Sequence, residues 1–112
     1  SHTTASEYLL VDTPVLTIEG SSFASRVCAS IVHHLGTDEL ITPTPQAFVA
    51  RAIALAHAPA ELKALREKIA RCRTGNILFD GTRFARSLER VYTRMAERAA
   101  AGLAPEGFDL EA

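Results

Sequence analysis

A chain of 112 residues, 47% hydrophobic and 22% charged, has the size and composition of one compact domain able to bury a core. Twelve Lys and Arg against thirteen Asp and Glu leave a net charge of −1, which excludes a general nucleic-acid surface and a polybasic membrane anchor, so any anion site must be local. Cys28 and Cys72 lack CxxC spacing and read as free thiols in a reducing cytoplasm. No apolar run is long enough to span a bilayer, and the N-terminus carries neither a basic region nor an apolar one, so neither membrane nor nucleic acid is expected as a partner.

The opening stretch SHTTASE reads as a loop meeting a short helix, with Thr4-Ala5-Ser6-Glu7 patterned as a capping box. Polar side chains around the amides of a first helical turn can hold an anion, because those donors lack partners and carry the positive end of the dipole. Val11 to Pro14 breaks the pattern, and the β-branched run at 14–18 is expected to be a buried strand, apolar on both faces. A turn at Glu19 to Ser22 leads into a second helix, capped by Ser21 or Ser22, with Phe23, Val27, Cys28, Ile31 and Leu35 at helical spacing and Gly36 as its stop. Leu40-Ile41 is a candidate second short strand. Thr44-Pro45 pairs a capping hydroxyl with proline at the first helical position, opening a third helix with Phe48, Ala52 and Leu55 on one face.

Pro59 restarts the chain in a fourth helix that carries Leu62, Leu65, Ile69 and Cys72, with the charges between Lys63 and Arg73 forming a solvated face. Gly75-Asn76 ends it. Asp80 can cap a long last helix whose apolar positions include Phe84, Leu88, Val91, Tyr92 and Met95, of which Tyr92 and Met95 fit core packing, and Gly102 is its terminus. The expected organisation is therefore a segment over 1–102 ending in that helix, followed by a surface tail over 103–112. The fold class is α/β and mostly helical, with one or two short parallel strands. Such strands cannot complete a sheet by themselves, so the chain reads as the later part of a lobe entered from an upstream strand.

Four ordered blocks carry a family resemblance: His2-Thr3-Thr4 with Leu9 and Thr13-Pro14; Gly20 with Phe23 to Val27 and Ala29-Ser30; Gly36 with Glu39-Leu40-Ile41; and Leu78-Phe79-Asp80 with Arg83-Phe84, Leu88-Glu89, Tyr92 and Met95. From His2 to Gly102 the chain resembles the C-terminal end of the catalytic region of protein O-linked N-acetylglucosamine transferases, bacterial and Spindly-type relatives included. The resemblance implies the C-terminal portion of a Rossmann-like lobe in a two-lobe (GT-B) glycosyltransferase. It implies a cytoplasmic, metal-independent, inverting transfer of N-acetylglucosamine from UDP-GlcNAc, as donor substrate, to Ser or Thr hydroxyls of protein acceptors. It also implies that His2, Thr3 and Thr4 wrap the donor diphosphate and that Glu7 holds the ribose. No catalytic group is expected within the segment, since the phosphate lysine, the base-contacting residues, the candidate catalytic groups and the substrate-presenting helical repeats belong to the upstream part of the same enzyme.

Glu7 stands where relatives have aspartate, Leu10 and Ala96 where tryptophan is common, and Asp12 where they have glycine; aspartate enters left-handed backbone more readily than most residues. Structural readings stand beside the functional ones. Thr4 and Glu7 fit a helix cap, and Arg26 fits a surface ion pair in an exposed first turn. His33-His34 does not make a metal pair, because adjacent helical side chains diverge by about 100°. Another nucleotide sugar (GDP-fucose or UDP-glucose) on the same fold, and a non-catalytic helical interaction module, are the alternative functions.

Overall fold

A computed structural model describes residues 2–110. In chain order it contains helix α1 (Thr3–Leu10), strand β1 (Thr17–Ile18), helix α2 (Phe23–His34), a 3₁₀ turn (Asp38–Leu40) and strand β2 (Ile41–Thr42). Helices α3 (Pro45–Ala56) and α4 (Pro59–Arg73), a second 3₁₀ turn (Ile77–Phe79) and helix α5 (Gly81–Ala100) follow. The chain divides between Phe79 and Asp80 into two compact units.

In the first unit β1 and β2 are parallel neighbours joined through α2, in the register Thr17 to Ile41 and Ile18 to Thr42. The Glu19 amide extends the ladder to the Thr42 carbonyl at 2.9 Å. Thr42, itself buried, donates its Oγ1 to the Thr17 carbonyl at 2.8 Å, so its hydroxyl is satisfied inside the sheet. The mostly helical α/β class with two short parallel strands is thus as expected, but both strands differ in extent. Only Thr17–Ile18 of the stretch 14–18 is strand. Pro14 has no amide to give to a ladder, and Val15 and Leu16 pack their half-buried side chains against the core without pairing to a strand. The second strand begins at Ile41 because Leu40 closes the 3₁₀ turn, its amide bonding to the Thr37 carbonyl at 3.0 Å.

The core lies beneath this ribbon. Ala5 of α1, Cys28 and Val32 of α2, Leu40, Leu55 of α3 and Leu65 of α4 form one buried cluster, and Leu9, Leu35 and Ile69 form a second; Val15 touches both. Cys28 is buried and Cys72 half-buried, and both are free thiols. Leu9, Val32 and Ile69 are fully enclosed, and truncating such a side chain to alanine costs about 2–5 kcal/mol.

Helix ends follow their sequence signals. Thr44 Oγ1 accepts the Ala47 amide at 3.1 Å with Pro45 opening α3. Gly36 adopts φ 86° behind α2, where the Gly36 amide bonds to His33 and the Thr37 amide to Val32, closing a Schellman motif. Gly20 answers to a different constraint: a β-carbon there would stand 2.4 Å from Ser25 Oγ, so only glycine lets the turn after β1 pass this close to α2.

In the second unit Asp80 Oδ1 caps α5 by accepting the Arg83 amide at 2.9 Å, and Gly102 and Leu103 complete a second Schellman motif with Ala99 and Arg98. Tyr92 and Met95 are 59% and 52% exposed, which corrects the expectation that they pack in a core; no α5 residue is buried. Arg98 donates to the Ala104 carbonyl at 2.8 Å and pairs with Glu106 at 2.8 Å, while the Arg94 guanidinium lies 4.2 Å over the Phe108 ring. These contacts lay residues 104–109 back along α5. Among the described residues no helix is long and apolar enough to cross a membrane.

Candidate functional site

The first turn of α1 carries the predicted site residues. Ala5 and Leu9, four apart, are buried and fix which side of the helix faces the core. Thr3, Thr4 and Glu7 are all exposed, and Glu7 follows them by four and three residues, which sets the three side chains on one solvent-facing surface. His2 stands immediately before the helix, also exposed.

The expected capping box over Thr4 to Glu7 does not form. α1 begins at Thr3, which puts Thr4 inside the first turn, and the residue at the cap position is His2, whose side chain makes no capping bond. Ser6 bonds back to the His2 carbonyl through both its amide, at 3.3 Å, and its Oγ, at 3.4 Å. The amides of Thr3, Thr4 and Ala5 precede the first helical bond and have no partner within the helix, and Thr3 and Thr4 are both exposed in that turn.

Helix α2 presents the opposite case. Ser22 Oγ accepts the Ser25 amide at 3.3 Å, the Ser22 amide donates to Ser25 Oγ at 3.1 Å, and Ser25 Oγ donates to the Ser22 carbonyl at 2.8 Å. Its first turn is closed by its own serines, and Arg26 is occupied by Glu19 at 3.8 Å in an exposed pair. The two helix starts share an edge all the same. The His2 ring meets the Phe23 ring edge-on, with centroids 6.0 Å apart and planes at 77°. Phe23 follows directly on the turn leaving the C-terminal end of β1, so the open helix end lies at the rim where parallel α/β units bind their ligands.

An open cleft of about 800 Å³ adjoins this rim, lined by Glu19, Ser21, Phe23, Arg26, Ser30 and His33 among others. None of His2, Thr3, Thr4 and Glu7 lines it; Phe23, whose ring meets that of His2, does. Helical spacing assigned Phe23 to the apolar face of α2, yet it is 80% exposed. The signal was its place as the first residue after a serine cap, at the mouth of the strand rather than over the core.

The expectation that the adjacent His33 and His34 side chains diverge is not met, since their rings meet edge-to-face with centroids 5.5 Å apart, but each ring commits its Nδ1 elsewhere. Nδ1 of His33 donates to Asp38 Oδ1 at 2.7 Å and Nδ1 of His34 donates to the Ser30 carbonyl at 2.8 Å. Among the described residues no group of three or more His, Cys, Asp and Glu is placed to hold a metal ion.

A mostly helical chain built around a two-stranded parallel ribbon is a piece of an α/β protein, and comparison with known proteins gives its family. The model of glycosyl transferase family 41 matches residues 1–88, and the chain belongs to that family. It is 33% identical over 102 residues to a UDP-N-acetylglucosamine–peptide N-acetylglucosaminyltransferase of Caenorhabditis elegans, covering 91% of this chain and 9% of the relative. A probable enzyme of the same description, SPINDLY of Solanum lycopersicum, is 31% identical over 103 residues, covering 92% of this chain and 11% of the relative. A solved mutant O-GlcNAc transferase of Thermobaculum terrenum superposes with a TM-score of 0.79 at 32% identity, over 85% of this chain and 18% of that one. The chain therefore spans about a tenth of the length of these curated relatives.

Proposed function

We propose that this chain is the donor-binding end of a protein O-GlcNAc transferase: a part of a two-lobe GT-B enzyme that moves N-acetylglucosamine from UDP-GlcNAc to Ser or Thr hydroxyls of protein acceptors. The observation that carries the reading is the exposed, uncapped start of α1, with Thr3, Thr4 and Glu7 on one surface, in a chain of glycosyl transferase family 41. The relatives' names supply the donor and the acceptor class.

In the proposed reaction an acceptor hydroxyl attacks the anomeric carbon of the donor. The bond from that carbon to the β-phosphate oxygen breaks, and UDP departs with the electron pair. The hydroxyl proton passes to a base outside this segment. Charge grows on the diphosphate as the bond breaks, and preformed donors aimed at that position lower the barrier more than they tighten the ground state. The amides of Thr3, Thr4 and Ala5, the two threonine hydroxyls and the positive end of the α1 dipole act in that role, with the His2 ring beside them. Glu7, one turn further on, accepts hydrogen bonds from the ribose hydroxyls. The upstream part of the same polypeptide supplies the base-reading and catalytic groups and the remaining strands, and the site works in the cytoplasm.

Replacing Thr3 and Thr4 together by alanine in the full-length enzyme tests the assignment. Each charge-assisted bond removed is worth roughly 1.5–3 kcal/mol, so UDP affinity in calorimetry should fall by more than tenfold while the melting temperature is retained. Unchanged affinity for UDP would remove the diphosphate from α1.

A further inference from the structure

Phe23 has no structural work that accounts for its exposure. At 80% it is more exposed than any other large hydrophobic side chain among the described residues, while the turn that bears it is tightly held. The Ser22 and Ser25 bonds lock its backbone at the start of α2, and Gly20 brings the preceding turn against the same serines. A rigidly mounted phenyl ring that meets the His2 ring edge-on and lines the cleft is a preformed contact surface.

The cleft chemistry narrows what it contacts. With the α2 start capped and Arg26 paired to Glu19, this side of the rim offers little to a phosphate. Beside Glu19, Arg26 and His33, which are engaged in ion pairs, it offers an aromatic ring, aliphatic walls from Val27, Ile31 and Ile41, and the hydroxyls of Ser21 and Ser30. Aromatic planes attract polarised C–H groups, and hydroxyls trade hydrogen bonds with other hydroxyls. A pyranose ring presents both. We propose that Phe23 is the platform for the hexose of the sugar nucleotide and sets the enzyme's preference for the glycosylated donor over free nucleotide. The inference rests on the reading that α1 holds the diphosphate: the hexose is bonded directly to the terminal phosphate, so a phosphate held at His2 delivers the sugar to the ring that touches His2.

The test uses the full-length enzyme and measures UDP and UDP-GlcNAc binding separately, by calorimetry, for Phe23→Ala and Phe23→Tyr. Phe23→Ala should weaken UDP-GlcNAc about three- to tenfold, the range for loss of one aromatic contact. It should leave UDP within twofold and the melting temperature unchanged, and Phe23→Tyr should restore donor affinity. Equal weakening of UDP and UDP-GlcNAc, or no change in either, overturns the hexose platform. So does a raised acceptor KM with donor affinity intact, which would place the acceptor peptide on Phe23, and so does a lowered melting temperature, which would mean that another part of the polypeptide packs on the ring. Failure of the underlying reading shows separately, as UDP affinity that survives the loss of Thr3 and Thr4 hydroxyls.

Discussion

Arg73, at the end of α4, donates its Nε to Asp12 Oδ1 at 3.1 Å and so joins two points 61 residues apart in the chain. Asp12 closes the turn after α1 with φ 58°, the positive-φ residue other than glycine among those described. A side chain in that backbone region costs about 1–2 kcal/mol unless it is glycine or a short polar residue. The aspartate thus does two things that glycine, expected here in relatives, would divide: it tolerates the turn and anchors α4 to it.

Asp12→Ala keeps a β-carbon in left-handed backbone and loses the carboxylate, and should lower urea stability of the chain by about 1–2 kcal/mol. Asp12→Gly removes the strain along with the ion pair. Since both partners are about a third exposed (37% and 34%), the pair is worth only about 0.2–1 kcal/mol, and the glycine variant should stay within about 0.5 kcal/mol of the parent. A glycine variant as damaged as the alanine one would show that the ion pair, and not the backbone, dominates.

Glu7→Gln separates ribose binding from helix stability. The carboxylate is exposed and outside any cap, so the change should leave thermal stability of the full-length enzyme the same. In the proposed site it should weaken UDP severalfold and leave a 2′,3′-dideoxyribose analogue nearly unaffected, because an amide accepts less strongly than a carboxylate from two hydroxyls. Equal losses for the two nucleotides would take Glu7 out of the ribose site.

The Glu39 carboxylate gives the first unit an acid-sensitive tie. Partial burial is the largest single influence and acts to raise its pKa, but the 2.6 Å bond from Lys68 Nζ, a backbone hydrogen bond and the Lys68 charge together hold it below the usual 4.5 against the opposing charge of Asp38. With the folded value depressed, the pair's contribution is fully present above the unfolded value and is lost as pH falls through the folded one. Both side chains are more than a third exposed, so the contribution is small, about 0.2–1 kcal/mol. Urea unfolding of Glu39→Gln should therefore lie below the parent at about pH 7 and converge with it near pH 3. A gap that persists at the lower pH would assign the loss to packing.

Local signals were the readable ones. Ser22, Thr44 and Asp80 cap the helices that they precede in sequence, and Gly36 and Gly102 stop the helices they follow, because each acts through bonds to residues within one turn. The α1 cap misled for a related reason. Thr4 and Glu7 have capping-box spacing, but spacing is silent on which residue leaves helical backbone first, and burial of Ala5 and Leu9 carries the helix back to Thr3. Tyr92 and Met95 recur at core spacing, yet periodicity identifies an apolar face without saying what covers it. Phe23 failed in the opposite sense: at the start of a helix the periodic face has not yet met the core. Register between β1 and β2, which depends on contacts 24 residues apart, had no local signal at all.

The stretch 14–18 supplies a last test, of where the sheet ends. Its side chains are half-buried and apolar at Val15, Leu16 and Ile18, and Val15 joins both core clusters, yet only Thr17 and Ile18 pair with another strand, and that strand is two residues long. Helices α2 and α4, by contrast, have complete internal ladders and bury Val32 and Ile69 fully. Hydrogen exchange on the isolated chain should therefore find the Val32 and Ile69 amides protected and those of Val15 and Leu16 exchanging at least tenfold faster, since local opening there breaks few bonds. An unpaired edge of this kind also recruits other chains, so concentration-dependent association of the isolated chain is expected. In the full-length enzyme, upstream strands of the proposed lobe would cover β1 and slow Val15 and Leu16 toward the rate of the helices. Strong protection at Val15 and Leu16 in an isolated monomer would show that the ribbon is complete as it stands and would remove the need for a neighbouring upstream strand.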